Sequence, residues 1–564
     1  MRVIDISQMQ DLGLAGLLPI SYYLALGLLT LSFLALLFQE KVNEILLGIH
    51  VVLFIAIIHG TPTLLYDSLR YAWAWKHVGI SDFILRHGYV DTSINSLGIY
   101  HNFPGFFSLS ALLSQVSGSF SVLELARWGT LVLNYLYLPS LLFLFKASIK
   151  EPRLIWLSLW IFFSSNWVGQ DYFSPQGLAF LFFIVLMGLY FRYFTFPLHN
   201  DGLPQTSQTQ ASSLWAFGFF VLTFLAIVSS HQLTPVLIIF SSFLLVFFNR
   251  LPLKFVPILF SLIFLTWLFY PAADFTSHEL AKLMRSFGQL GSNVEASLSD
   301  LDIASPAQQL ISWSSRLLTL LIWSIAATRI YVSIRTRRQI PYVILALAPF
   351  ALLLNAYGGE VLFRVYLFAL PFMAVFVGDT FLKLFSKRTL IFTTHVFFFV
   401  LLAFYLPAYY GKDNIYRFTE AEVEASTWLH EVAPENSLII EGTRNYPTRH
   451  YRYEAFTYLA LDYESDKTQK AIMADPVGMM KSWLKNENYS AAYLIITRSQ
   501  KAEVDQLGIF QGKGSLAKLE QALLSSNAFE ILYQNEDAVV FGPKAPLLIP
   551  NFYKELDVYD RKFY

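Results

Sequence analysis

Long apolar runs recur through the first 410 residues and limit most strongly what this chain can fold into. Each run is close to the ~20 apolar residues that an α-helix needs to cross the hydrocarbon layer of a membrane. The pattern predicts a polytopic α-helical membrane protein with about twelve spans. They are expected at residues 18–38, 44–60, 126–146, 154–170, 175–195, 213–229, 233–249, 254–271, 316–334, 341–357, 361–384 and 389–409.

The charge content supports this prediction and excludes several classes of protein. Only 14% of the 564 residues are charged, whereas soluble domains carry about 25%. The formal net charge is zero, so nothing favours a nucleic-acid partner. The chain has no cysteine, which excludes disulfides, thiolate metal sites and cysteine nucleophiles.

Lysine and arginine clusters in short loops indicate which loops face the cytoplasm. These clusters lie at 146–153, 250–254, 335–338 and 383–388. The remaining loops are therefore expected on the outer side of the membrane. These are the segments 60–102, 166–174, 230–232, 271–315, 357–361 and everything after 410. The polar segment 197–212 is expected to be an internal loop. The apolar piece 103–117 is either a re-entrant half-helix or a thirteenth span, and the side of the N-terminus depends on which.

The composition changes after residue 410, where apolar runs end and charged residues become frequent. We predict a membrane domain over 1–410 and a small extracytoplasmic α/β domain over 411–564. Helices are expected at 419–432, 476–486 and 514–525, and strands at Ser437–Glu441, Ala492–Thr497, 529–534 and 537–542. No phosphate loop, metal-ligand cluster or nucleophile elbow is present, so we expect this domain to pack on or cap the membrane part.

The first external loop, 60–102, is the longest non-hydrophobic interruption in the N-terminal half. Charged groups beside a membrane are costly and tend to be functional. The loop and the segment around it combine aromatic rings with many polar groups, among them Asp67, Tyr100 and His101. We expect it to form the floor of an active site.

Other turns predicted to be external also contain polar groups, and these are expected at the same depth in the membrane. Asp171 lies in the turn after the 154–170 run, His231 lies in a short turn, and Glu360 follows the polar turn 355–359. Glu360 and Arg364 are four residues apart, so a helix would place them on one face. The forked arginine side chain matches phosphate oxygens. The sequence therefore predicts carboxylates, a histidine and an arginine gathered at one face.

Each of these residues also has a structural interpretation. Asp67 could cap a helix beginning at Ser68. Asp171 could accept hydrogen bonds from the backbone of its own turn, and His231 could make a structural hydrogen bond. Glu360 and Arg364 could neutralise each other. Tyr100 and neighbouring rings could belong to an interfacial aromatic belt.

One order of residues resembles a known family. Asp67, the YAWAW run at 71–75, Gly88, Tyr100, Pro104 and Gly118 follow one another, with a second acidic turn at Asp171 and a C-terminal external domain. This layout, over residues 18–410, resembles the GT-C superfamily of integral-membrane glycosyltransferases. That superfamily includes protein O-mannosyltransferases, aminoarabinose transferases of lipid A and oligosaccharyltransferases. The acidic pair of many members is here Asp67-Ser68, and the WWDYG signature of oligosaccharyltransferases is absent.

The resemblance implies transfer of a sugar from a polyprenyl-phosphate-linked donor to a glycan, lipid or protein acceptor at the outer face of the cell membrane. Asp67 would be the general base or a metal-positioning carboxylate, and Asp171 its partner. Arg364 would hold the donor phosphate. Glu360, His231, His101 and Tyr100 would support substrate binding. Members of the superfamily differ in their need for a divalent metal, so Mg²⁺ or Mn²⁺ stays open.

Two other functions compete with this one. A polymerase or ligase of surface polysaccharide is also membrane-embedded, but such enzymes usually rely on external arginine and histidine rather than a loop carboxylate. A transporter or non-catalytic scaffold is the third possibility. Transporters tend to show internal repeats and broken helices at mid-membrane, whereas the polar residues here gather at one face.

Overall fold

The fold is dominated by apolar helices followed by a small sheet. A computed structural model describes residues 4–195, 210–286, 288, 301–354, 360–384 and 387–544. The helices up to residue 410 are α1 (Gly13–Leu17), α2 (Ile20–Leu37), α3 (Glu44–Leu65), α4 (Ala72–His87), α5 (Gly98–Asn102), α6 (Gly105–Ser117), α7 (Val122–Ser148), α8 (Pro152–Phe163), α9 (Pro175–Tyr193), α10 (Gln210–Ser230), α11 (Thr234–Phe247), α12 (Val256–Phe269), α13 (Ala273–Ser286), α14 (Pro306–Thr336), α15 (Ile340–Leu347), α16 (Val361–Leu384) and α17 (Lys387–Tyr410).

The predicted apolar helices are confirmed, and most of them are long enough to be membrane spans. Seven helices are long and apolar enough to cross a membrane, and α12 with the start of α13 forms an eighth candidate bent by 88°. Together with four shorter apolar helices, α8, α10, α11 and α15, they coincide with the twelve predicted spans. The span expected at 154–170 is shorter than predicted, and the one expected at 316–334 begins already at Pro306. The predicted turn 355–359 and most of the predicted loop 197–212 lie outside the described residues.

Local sequence explains where several of these helices begin. Ser121 and Glu124 form a reciprocal capping box at the start of α7. Ser174 accepts a hydrogen bond from the Gly177 N–H at 3.0 Å, and Pro175 opens α9. Because α9 begins at Pro175, the turn that contains Asp171 ends at Ser174.

The main core lies between the helices of the bundle. Helix α16 packs against α8, α14 and α15 and is buried over most of its length. A Cβ at Gly188 would meet the Phe143 ring at 2.4 Å, so α7 and α9 approach each other closely there. This packing fixes the helices of the bundle relative to one another.

The segment between α3 and α7 contains three helices, α4, α5 and α6, with an apolar core of their own. Helix α4 begins at Ala72 after Tyr71, so the predicted helix at Ser68 with Asp67 as its cap is wrong. Helix α6 has 13 residues, about 20 Å at 1.5 Å per residue. This is shorter than the ~30 Å hydrocarbon layer, and Leu112, Leu113 and Val116 on it are exposed.

The C-terminal part forms a five-stranded sheet in the order β2-β1-β3-β5-β4. Its strands are β1 (Ser437–Glu441), β2 (Phe456–Ala460), β3 (Ala492–Thr497), β4 (Phe529–Gln534) and β5 (Ala538–Pro543). β2, β1 and β3 are parallel, and β5 and β4 are antiparallel to their neighbours. The helices are α18 (Asp413–Tyr416), α19 (Glu420–Val432), α20 (Asp466–Ala474), α21 (Pro476–Leu484), α22 (Arg498–Leu507) and α23 (Ser515–Leu524).

The predictions for this sheet unit, residues 411–544, were accurate but incomplete. The expected strands Ser437–Glu441 and Ala492–Thr497 are confirmed as β1 and β3, and β4 and β5 lie where the paired strands were expected. Strand β2 and helices α18, α20 and α22 were missed. Apolar side chains cover both faces of the sheet. The division of the chain into domains at residue 410 stays a prediction.

A buried ion pair joins the first loop to the chain that follows the last apolar helix. The guanidinium of Arg70 donates to Asp413 from Nε at 2.8 Å and from Nη2 at 2.5 Å, and the Tyr66 hydroxyl donates to the same carboxylate at 2.6 Å. Asp413 is fully buried. A pair of this kind holds its partners in register, because separating them would leave a buried charge without a partner.

Candidate functional site

A cavity of about 630 Å³ lies between the end of the helix bundle and the sheet unit. Its lining comes from the loop after α3, the turn before α9, the N-terminal halves of α14 and α16, the end of α17 and the sheet unit. Many aromatic rings line it. The charged residues in its wall are Lys76, Arg316, Glu360, Lys412, Arg444, Asp462 and Glu503.

The bundle side of the cavity holds one of the predicted carboxylates. Gln170 donates from Nε2 to Glu360 Oε2 at 3.1 Å, and the same oxygen lies 3.9 Å from Arg364 Nη2. The predicted pairing of Glu360 with Arg364 is therefore present. Arg364 itself is buried behind the wall, where its Nε donates to Gln176 Oε1 at 3.0 Å. The arginine that lines this side is Arg316 on α14.

Tyr71 forms part of the wall in an unusual backbone conformation. Its φ of 73° and ψ of 124° lie in a region that residues with a Cβ rarely adopt. Its N–H donates to the Tyr416 carbonyl at 3.1 Å, and its ring packs against Tyr172 and Tyr416. Strained residues of this kind persist where surrounding structure holds them, often at functional sites.

The sheet side of the cavity carries five ionisable groups that we call the roof cluster: Lys76, Lys412, Arg444, Asp462 and Glu503. Within the described part of the chain, none of the five forms an ion pair within 4.0 Å. Asp462 Oδ1 and Arg444 Nε are buried and have no hydrogen-bond partner there. Lys76 Nζ lies 4.3 Å from the centre of the Trp73 ring, and the Arg444 guanidinium lies 3.4 Å from that of Tyr463.

Burial brings three groups of the roof cluster close to neutral titration. Desolvation raises the pKa of Glu503 to about 7 and that of Asp462 to about 6, because the charged carboxylates lose water. Desolvation, with repulsion from Arg449 and Arg444, lowers the pKa of Lys76 to about 7. Groups that exchange protons near pH 7 beside a cavity are candidates for binding or proton transfer.

Asp171 belongs to a second cluster, which lies inside the bundle behind the cavity wall. Asn134 donates from Nδ2 to Asp171 Oδ2 at 2.6 Å, and His59 Nδ1 lies 3.6 Å from the same oxygen. His59 Nδ1 is also 2.8 Å from the hydroxyl of Tyr409, a residue that lines the cavity. We call Asp171, His59, Asn134 and Tyr409 the inner cluster. Asp171 is buried and does not line the cavity.

The remaining predicted residues lie elsewhere. Asp67 is exposed, and its carboxylate makes no hydrogen bond or ion pair within the described residues. His101 is buried against the hydroxyl of Tyr453, and burial lowers its pKa to about 4. Tyr100 packs edge-on against His77 at 5.1 Å. His231 Nδ1 accepts from the Thr234 N–H at 3.3 Å at the start of α11, as its structural interpretation predicts.

Of the predicted site residues, Glu360 alone lines the cavity. The roof cluster was missed because its members come from distant parts of the chain. One signal was available: Arg444, Asp462 and Glu503 follow β1, β2 and β3, and ligands of parallel sheets bind beyond the carboxyl ends of the strands. No group of three or more histidine or acidic side chains that could hold a metal occurs in the described ranges.

Comparisons with known proteins give the fold. No protein-family model matches the chain, and no curated protein sequence matches it significantly. The structure is similar to an apo oligosaccharyltransferase of Archaeoglobus fulgidus, with a TM-score of 0.54 and 10% identity over 86% of this chain and 73% of that one. It is also similar to ArnT of Cupriavidus metallidurans bound to undecaprenyl phosphate, with a TM-score of 0.51 and 10% identity over 87% of this chain and 97% of that one. The expected GT-C-like fold, an integral-membrane helix bundle with a small C-terminal sheet, is thus confirmed.

Proposed function

We propose that this protein is a membrane glycosyltransferase that moves a sugar from a polyprenyl-phosphate-linked donor to an acceptor on the outer face of the membrane. The observation that carries the proposal is the charged, aromatic-lined cavity at the end of a GT-C-like bundle. One similar structure is ArnT bound to undecaprenyl phosphate, a lipid carrier of the proposed kind. The lysine and arginine pattern of the short loops supports the outer location.

The bundle side of the cavity suits the lipid and its phosphate. Trp313, Leu320 and Trp323 on α14 provide apolar surface in the outer half of a membrane helix. Arg316 lies in the same wall, so its forked side chain is placed for a phosphate that rests at the membrane surface. Charge builds up on this phosphate as the bond to the sugar breaks, and a nearby cation stabilises it. We therefore assign phosphate binding to Arg316 rather than to the buried Arg364.

The transfer step needs a carboxylate for the acceptor. An acceptor hydroxyl oxygen attacks the anomeric carbon of the sugar, its proton passes to the carboxylate, and the phosphate oxygen leaves with the electron pair of the broken bond. Asp67 stays our candidate base, since it is exposed in the loop that leads into the cavity wall. Glu360 is its rival because it lines the cavity. Asp171 would be a positioning residue, acting on Tyr409 through His59.

The first test of the proposal measures lipid binding and turnover in nanodiscs. We expect undecaprenyl phosphate to bind, detected by native mass spectrometry. We also expect an undecaprenyl-phosphate-linked sugar to release undecaprenyl phosphate when an envelope extract supplies the acceptor. Arg316→Ala should weaken lipid binding about tenfold, the equivalent of one good charge-assisted contact. If Arg364→Ala weakens lipid binding more than Arg316→Ala does, Arg364 is the residue that binds the phosphate. Absence of both binding and release would overturn the proposed function.

The base assignment is tested by Asp67→Asn, with Glu360→Gln as the matched variant. Loss of a general base lowers turnover by about 10²–10⁴-fold. We expect a loss of this size in Asp67→Asn with unchanged thermal unfolding, because the side chain is exposed and makes no hydrogen bond or ion pair with a described residue. Normal turnover in Asp67→Asn together with a large loss in Glu360→Gln would move the base to Glu360.

A further inference from the structure

The roof cluster lies beyond one particular edge of the sheet. Arg444 follows β1, Asp462 follows β2, and Glu503 lies on α22, which begins directly after β3. These three strands are parallel neighbours, so their carboxyl ends meet at one edge. Ligands of parallel sheets bind in the crevice outside this edge, because the loops there diverge and leave room.

The charges of the roof cluster differ from the other buried charges of the same sheet. Glu441, at the end of β1, accepts from Arg449 Nη1 at 3.0 Å and Nη2 at 2.9 Å, and from the hydroxyls of Tyr446 and Thr448. Asp462 and Arg444 lie near this network, yet each keeps a buried polar atom without a partner in the described part of the chain. Buried polar groups are nearly always paired, so two unpaired polar atoms beside a cavity mark a place where a polar ligand can bind.

The chemistry of the set indicates what that ligand is. Asp462 and Glu503 can accept hydrogen bonds, whereas Lys412 and Arg444 can only donate them. A simple anion would meet two carboxylates, and a simple cation would meet the lysine and arginine groups. A sugar ring fits both, because its hydroxyls donate to carboxylates and accept from cations. Trp73 and Tyr463 add aromatic surface beside these groups.

We propose that the roof cluster binds the sugar ring of the donor, so that the sheet unit selects the sugar. This inference rests on the proposed function and adds a role for the sheet unit beyond capping the bundle. The sugar is bonded directly to the phosphate. If the phosphate rests against Arg316 at the membrane surface, the ring must project away from the lipid, toward Asp462 and Glu503 on the opposite side of the cavity.

The test compares a lipid phosphate with and without a sugar. The probes are undecaprenyl phosphate and its glucose, mannose and arabinose derivatives, bound to the full-length protein in nanodiscs. We expect wild type to bind at least one derivative about tenfold more tightly than undecaprenyl phosphate. The double variant Asp462→Asn/Glu503→Gln should lose this gain and keep its affinity for undecaprenyl phosphate. Glu487→Gln, an exposed acid of the same unit, is the matched control and should keep the gain.

The outcomes separate this inference from the proposed function. Two results would overturn the sugar subsite alone. In the first, the double variant still binds a sugar derivative more tightly than undecaprenyl phosphate. In the second, wild type binds undecaprenyl phosphate but none of the three sugar derivatives more tightly. Failure of undecaprenyl phosphate to bind wild type overturns the proposed function, and the subsite with it. Thermal unfolding shows whether the double variant folds, and the single variant Asp462→Asn replaces it if it does not.

Discussion

The inner cluster and the roof cluster lie on two sides of the same cavity wall and treat their charges in opposite ways. In the inner cluster the Asp171 carboxylate accepts a hydrogen bond from Asn134 and lies close to His59. In the roof cluster five ionisable groups line an open space without ion pairs among the described residues. A carboxylate held by its buried neighbours stabilises the fold, whereas carboxylates that line a cavity outside any ion pair are available to a ligand.

The largest expected effect tests the structural role of the inner cluster. Asp171→Ala removes the acceptor of the Asn134 hydrogen bond and leaves His59 without its buried carboxylate. Breaking a buried polar pair in this way should lower the free energy of unfolding by about 2–4 kcal/mol. Thermal unfolding in detergent measures it, with the isosteric Asp171→Asn expected to lose less. Unchanged unfolding with lost turnover would instead make Asp171 a catalytic residue.

The pH dependence of stability tests the roof cluster in the same comparison. The pKa of Glu503 is raised, so its stabilising contribution is complete below its unfolded pKa of about 4.5 and is lost as pH rises through about 7. The pKa of Lys76 is lowered, so its contribution is complete above about 10.5 and is lost as pH falls through about 7. Between pH 6 and 8 the contributions of Glu503 and Lys76 oppose each other and nearly cancel.

Single variants should separate these opposing changes. Glu503→Gln leaves Lys76 to titrate, so from pH 6 to 8 the stability of this variant should rise by about 1 kcal/mol relative to wild type. Lys76→Gln leaves Glu503, so the stability of that variant should fall by about 1 kcal/mol relative to wild type over the same window. Asp462, with a pKa of about 6, adds to the fall. The melting temperature of each variant against pH is the measurement, and equal slopes in both would contradict the assignment.

The smallest effect concerns Tyr409, the residue that connects the two sides of the wall. Tyr409→Phe removes the hydroxyl that lies 2.8 Å from His59 Nδ1 but keeps the ring in the wall. One buried hydrogen bond is worth about 1 kcal/mol, and unfolding should shift by that amount. Tyr463→Phe is the control, since Tyr463 also lines the cavity and is exposed. An equal shift in both variants would show that the Tyr409 hydroxyl contributes nothing specific.

The sequence predicted those features that depend on local patterns. Long apolar runs define the membrane helices, and the buried runs at Ser437–Glu441 and Ala492–Thr497 define two strands of the sheet. Strand β2 was missed because Phe456–Ala460 lies at the edge of the sheet, where most of its side chains are partly exposed. An edge strand lacks the continuous apolar run that reveals a central one.

The candidate site was harder to predict because it depends on how distant segments meet. Asp67 and Asp171 stood out since each is an acid beside an apolar run, yet neither lines the cavity. Glu503 lies on an ordinary amphipathic helix, and only the docking of the sheet unit on the bundle turns it toward Lys76. No local pattern encodes such a contact.

The ion pair between Arg70 and Asp413 has a consequence for how the protein is made. The two residues are 343 positions apart, and a ribosome that adds about 5–20 residues per second needs on the order of half a minute to synthesise the chain between them. During that time the first loop is without its partner carboxylate. The cavity can close only when the last quarter of the chain emerges, so a truncated or stalled product would display an incomplete loop that cellular quality control can recognise.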